Sequence, residues 1–197
     1  MYGTLPVNKK VKKITKKLEQ TNEKAYNYII NSTNKKTEEY FMKAYTYVKP
    51  GLASFVDVDK PVIRKPTDAI VRIVKTTICG TDLHIIKGDV PACQSGTILG
   101  HEGIGIVEEV GEGVSNFKKG DKVLISCVCA CGKCYYCKKG IYAHCEDEGG
   151  WIFGHLIDGM QAEYLRVPHA DNTLYHTPED LSDEALVMLS EDRKSVV

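Results

Sequence analysis

Cysteine spacing is the strongest chemical signal in the chain. Cys131-Gly-Lys-Cys134-Tyr-Tyr-Cys137 is followed after seven residues by Cys145. Two-residue gaps let neighbouring thiolates point inward from a tight turn, and a fourth sulfur from farther along closes a tetrahedron around Zn²⁺. Lys133, Lys138 and Lys139, interleaved with these cysteines, favour thiolate over thiol and offset the charge of a four-sulfur site. The competing readings are four unrelated thiols or two disulfides. A closed four-cysteine site leaves zinc no open position, so this cluster is expected to be structural.

A second constellation lies upstream: Cys79-Gly-Thr81-Asp82-Leu-His84, then Gly100-His101-Glu102. Cysteine, histidine and carboxylate are the ligand types of an open zinc site, which can polarise a bound oxygen. Thr81 and His84 place a hydroxyl and an imidazole beside Cys79, the groups a proton relay needs.

Together these segments resemble the N-terminal catalytic domain of the zinc-dependent medium-chain alcohol dehydrogenases. The resemblance runs from Met42 to Ser190. It includes Gly100-His-Glu-Gly-Ile-Gly-Ile-Val-Glu-Glu-Val-Gly111, Gly120-Asp-Lys-Val123 and Gly150-Trp-Ile-Phe-Gly-His-Leu-Ile-Asp-Gly159 before Ala162-Glu-Tyr164. It implies a mainly β fold, a chaperonin-10-like (GroES-like), partly open β-barrel with a four-cysteine zinc lobe, and an NAD- or NADP-dependent oxidoreductase that interconverts alcohols with aldehydes or ketones. Cys79 and His101 are then ligands of a catalytic zinc, and Glu102, a catalytic residue beside the metal, joins it as a ligand when water or substrate exchanges. The third fixed ligand in this family is an Asp, at the position where Glu191 stands. Thr81 takes the alcohol proton and passes it toward solvent through the cofactor ribose and His84. Asp82 either orients His101 or forms a turn, and Trp151 either lines the substrate pocket or packs in the core. Cys131, Cys134, Cys137 and Cys145 hold the structural zinc. Rival readings are a polyol or formaldehyde dehydrogenase and, from a different class, a zinc-ribbon module that binds nucleic acid.

The chain has 197 residues, no net formal charge and 43% hydrophobic residues, enough for one packed domain with a small lobe. No apolar run approaches membrane-spanning length, and Met1-Tyr-Gly-Thr-Leu-Pro6 lacks a signal core. Eight cysteines without such a signal favour a reducing, cytoplasmic setting; Cys93, Cys127 and Cys129 read as ordinary thiols. Expected partners are a small alcohol or carbonyl compound and, in a full-length parent, further copies in a dimer or tetramer, with no nucleic acid and no membrane.

Charge is uneven: nine lysines and four glutamates give residues 1–41 a net +5, balanced by −5 in the rest. Val11, Ile14 and Leu18 are spaced for a weak amphipathic helix. Residues 1–41 are rich in Lys, Asn, Ile and Tyr, and the codons before Met42 accommodate a ribosome-binding sequence. We read 1–41 as a basic extension translated from upstream sequence. Residues 42–190 are the dehydrogenase catalytic domain. A DNA string encoding Glu191-Asp-Arg-Lys-Ser-Val-Val197 and a stop is, from its third base, a common sequencing adapter, so 191–197 is expected to be an adapter-derived tail.

The elements that must position the ligands are short. β-branched, apolar runs predict strands over 43–48, 69–77, 104–110, 122–126 and 162–167. Turn signals at Lys49-Pro-Gly51, Gly111-Glu-Gly113 and Lys119-Gly-Asp121 separate them. Ser182 is placed to cap a helix over 182–189. Gly100, Gly103 and Gly105 sit in the zinc segment rather than between a strand and a helix, so they predict a bend and not a phosphate loop. No strand is followed by a dinucleotide-binding glycine pattern, so the α/β cofactor-binding domain is expected to be missing.

Overall fold

A strand of alternating valine and isoleucine needs an apolar partner on one side, and the segments around Val71 and Val107 find it in each other. The structure, a computed structural model, describes residues 40–191. The helix expected around 11–18 and the tail beyond Glu191 lie outside them. From Met42 onward the described residues belong to one compact unit.

Strands β1 (Phe41–Lys49) and β2 (Leu52–Asp59) form a two-stranded sheet turning at Pro50 and Gly51. Strands β3 (Ala69–Thr76), β4 (Gly103–Val110), β5 (Lys122–Ile125), β6 (Tyr164–Val167) and β7 (Leu174–His176) form a second sheet in the order β6-β3-β4-β5-β7. Every ladder in it is antiparallel. The β3–β4 register slips between Ile70 and Val71 and again between Ile73 and Lys75. Such bulges bend a strand and raise its twist. The sheet therefore curls over a core of Val71, Val107, Val123, Ile125, Phe153, Met160 and Leu165. Isolated bridges Ala44–Ala162 and Thr46–Ile98 join β1 to the loops beside that sheet. The result is the expected mainly β, partly open barrel, and the described residues hold no α/β dinucleotide-binding unit.

The five predicted strands are present, but β2, β7 and helix α1 (Gly80–Lys87) are additions. β2 exposes most of its side chains, so its hydrophobic pattern carries little signal. α1 buries only Asp82 and Ile85, too few for a helical stripe. Its ends are specified by capping instead. Cys79 and Asp82 form a reciprocal capping box, and Gly88 closes the helix at φ +96° with its N–H on His84 and Ile85 carbonyls. Helices α2 (Tyr135–Lys138) and α3 (Ala170–Thr173) are single turns. Helix α4 (Asp183–Met188) starts as predicted at Ser182, whose side chain accepts the Ala185 N–H at 3.3 Å.

Register explains how distant ligands meet. Thr76 pairs with Gly103 across β3 and β4, and Gly103 pairs with Ile125 across β4 and β5. The end of β3, the start of β4 and the end of β5 therefore lie side by side. Leu186 and Val187 of α4 pack on Ile104 at this end of the sheet. Ser190 follows, its hydroxyl 2.9 Å from the Ile125 carbonyl and accepting the Gly103 N–H at 3.0 Å. The next residue, Glu191, is thereby delivered to the loops of β3 and β4.

Candidate metal centre

At that sheet end the side chains of Cys79, His101, Glu102 and Glu191 each offer a ligand atom within 4.8 Å of the others. His101 is 2% exposed; its Nε2 lies 3.5 Å from the Cys79 Sγ and 3.0 Å from a Glu191 carboxylate oxygen. The Thr81 N–H points at the Cys79 sulfur at 3.3 Å, which complements a metal-bound thiolate at a helix N-terminus. Glu102 receives the Thr77 hydroxyl. Burial, followed by the neighbouring Glu191 carboxylate, raises its pKa above the usual glutamate value. Two carboxylates crowded against a thiol and a buried imidazole are a donor set that a divalent cation neutralises. The residues present fit zinc.

Asp82 is nearly inaccessible, but it is not directed at His101. Its carboxylate accepts the Cys79 N–H at 2.9 Å, the Gly100 N–H at 3.2 Å and the Gln161 side-chain amide at 3.0 Å. It therefore locks the two ligand-bearing loops together through backbone. Gly100, at φ +92°, and Gly159 leave no room for a Cβ between the 98–101 and 159–161 segments. That close approach lets Met160 and Gln161 donate to the Gly100 and Leu99 carbonyls, both at 2.9 Å, and brings Gln161 to Asp82. Gly100 thus forms the expected bend, whereas Gly103 and Gly105 lie within β4, where a Cβ would meet Met160, Val71 and the Arg72 carbonyl.

The other expected residues are distributed unevenly. Thr81 is half-buried in the first turn of α1. His84 lies in the last turn of α1, largely exposed, with Nδ1 2.9 Å from Asp89, and is not in the ligand cluster. Trp151 stands edge-on to His101, ring centroids 6.1 Å apart. Thr77, Gln161, Ser190 and His155 surround the site but carried no role in the sequence reading. Threonine, serine and glutamine mark a site only through their partners, and those partners lie tens of residues away.

The second cluster is local. The Sγ atoms of Cys131, Cys134, Cys137 and Cys145 lie within 4.8 Å of one another, and all eight cysteines of the chain are free. Backbone N–H groups of Cys134 and Cys137 point at the sulfurs of Cys131 and Cys134, each at 3.4 Å, and that of Cys131 at Cys145 at 3.3 Å. Backbone donors, Cys137 first, draw the Cys134 thiol down to about 6, whereas burial pushes Cys137 up to about 12. Four converging sulfurs lined with N–H donors fit a closed zinc site. The lobe is tied to the barrel just after Cys145: Glu148 meets Lys65 at 2.7 Å and Arg166 at 2.5 Å, and Arg166 meets buried Asp68 at 3.1 Å.

Residues 65–179 match the model of the alcohol dehydrogenase GroES-like domain. A zinc-type alcohol dehydrogenase-like protein of Bacillus subtilis is 43% identical over 164 residues, 76% of this chain and 43% of that protein. The apo structure of a zinc-dependent alcohol dehydrogenase 2 from Streptococcus is 96% identical, with TM-score 0.72, over 75% of this chain and 42% of its own. An Escherichia coli alcohol dehydrogenase solved with NADH is 31% identical, with TM-score 0.66, over 76% of this chain and 42% of its own. The chain thus spans less than half the length of these relatives. It belongs to the family of the alcohol dehydrogenase GroES-like domain.

Proposed function

We propose that residues 42–190, with Glu191, are the metal-binding, substrate-side half of a zinc-dependent, NAD(P)-linked alcohol dehydrogenase. The observation that carries this reading is the convergence of Cys79, His101, Glu102 and Glu191 at one sheet end, separate from the four-cysteine lobe. Cys79, His101 and a carboxylate from Glu191 or Glu102 would hold a catalytic zinc, and Cys131, Cys134, Cys137 and Cys145 a structural one. When bound, the catalytic zinc supplies Lewis-acid polarisation of an alcohol or carbonyl oxygen. The chain's own residues do the rest on this side. Thr81 accepts the alcohol proton beside Cys79, and exposed His84, paired with Asp89, is the solvent end of the relay. Trp151 bounds the substrate space. The nicotinamide that takes the hydride is held by a cofactor domain supplied in a full-length parent, as the NADH-bound E. coli relative supports.

Such a parent is a cytoplasmic homo-oligomer acting on small alcohols, without nucleic-acid or membrane partners. Free cysteines support a reducing setting. No helix among the described residues is long and apolar enough to cross a membrane. The test is metal stoichiometry. The purified chain is expected to hold two zinc equivalents and Cys79→Ala one, with the fold retained. A single equivalent in the unaltered chain, unchanged by Cys79→Ala, would falsify the catalytic-centre reading.

A further inference from the structure

Trp151 is the chain's single tryptophan and 37% exposed. Its indole is stacked on His155, ring centroids 3.8 Å apart and planes 24° apart, while its ring meets His101 edge-on at 69°. His155 is 6% exposed and its Nδ1 has no partner among the described residues. Its backbone is held in a tight turn. The Ile152 carbonyl accepts from His155, Leu156 and Ile157 at 3.5, 3.0 and 3.1 Å, and the Gly154 N–H closes on the Ile157 carbonyl at 3.0 Å. The turn folds the imidazole back onto the indole four residues earlier.

One indole face is therefore covered by His155, and the ring lies against His101 of the ligand cluster. We propose that His155 is a positioning residue: by fixing the indole against His101 it makes Trp151 an apolar wall beside the ligand cluster. The hydrocarbon part of a small neutral alcohol lies against that wall. The Glu102 and Glu191 carboxylates at the same cluster disfavour an anionic substrate. This inference rests on the reading of the cluster as the metal centre of an alcohol dehydrogenase.

The test uses the full 197-residue chain loaded with zinc, and the fluorescence of its one tryptophan. Trichloroethanol is the probe, an alcohol whose chlorines quench indole. It is expected to quench Trp151 saturably, and Cys79→Ala is expected to remove the saturable part. His155→Ala should weaken that binding by roughly two- to tenfold, the range that ~0.5–1.5 kcal/mol of aromatic pairing corresponds to. It should also open Trp151 to acrylamide, with zinc content unchanged. His155→Phe, which keeps a planar ring, should restore both readouts. Unchanged acrylamide access and probe binding in His155→Ala would overturn the proposal, as would failure of His155→Phe to restore them at full zinc content. If His155→Ala loses zinc altogether, His155→Asn replaces it in the comparison. Saturable quenching that survives Cys79→Ala overturns the metal-centre reading and the substrate wall together, while acrylamide access still decides whether His155 positions Trp151.

Discussion

The two metal clusters use similar atoms in opposite ways. In the lobe all four ligands come from one short segment, Cys131 to Cys145, around the single turn of α2. At the sheet end the ligands come from three separate places, after β3, before β4 and after α4, and Cys79 and Glu191 are brought together across the whole domain. A local cluster has little hydrophobic core of its own: its buried set is Ala130, Cys131 and Cys137, with Cys134 and Cys145 packed on them. A metal bound there would supply much of its folding energy. The dispersed cluster stands on the barrel core and on bonds such as those of Asp82 and Ser190, which hold it without a metal. On the proposed reading, one centre would be built by its metal and the other for it.

That contrast can be broken at its strongest point. Cys134→Ser is expected to lower zinc by one equivalent and to cost several kcal/mol, within a metal–folding coupling of ~10–16 kcal/mol for small zinc modules. Metal analysis and denaturant unfolding check this. Retention of full zinc content would show that the lobe is not a metal-built unit.

Next in size is the junction between the regions. Arg166→Ala leaves the Asp68 carboxylate, with no accessible side-chain surface, without its guanidinium. Breaking a buried pair costs ~3–5 kcal/mol. Because Arg166 also holds Glu148, zinc should leave the lobe faster into a chelator. An unchanged release rate would mean that the lobe keeps its metal without support from the barrel.

A smaller effect is expected where the last ligand is delivered. Ser190→Ala removes a buried hydroxyl bonded to Gly103 and Ile125, at a cost of ~1–3 kcal/mol. Zinc titration should show weaker binding at the Cys79–His101 centre and unchanged binding at the four cysteines. Equal weakening at both would remove the distinction between them.

The smallest concerns the helix that leads to Ser190. Lys75 holds the Glu184 carboxyl down to about 2, against an ordinary 4.5. A depressed carboxylate contributes stability that is present above the unfolded value and lost as pH falls from 4.5 toward about 2. Glu184→Gln should flatten that part of the acid unfolding curve. The effect should be slight and should fade with added salt, since the pair is exposed. A large, salt-insensitive loss would show that electrostatics, rather than Leu186 and Val187 packing, seats α4.

Spacing alone specified the four-cysteine lobe, because its ligands are neighbours in sequence and need only a local turn. β-branched runs likewise marked β1, β3, β4, β5 and β6, whose partners bury one face of each. The ligand types of the second centre, Cys79, His101 and Glu102, were also legible as residue types, and the resemblance to a family pointed to the position of Glu191 as a further ligand. Only the tertiary structure decided the rest. The Thr76–Gly103 register sets Cys79 beside His101, and Ser190 carries Glu191 to them. Asp82 ties loops rather than a ligand ring, and His155 lies under Trp151. Those arrangements depend on strand register and on hydrogen-bond partners up to 90 residues apart, which no local pattern of residues encodes.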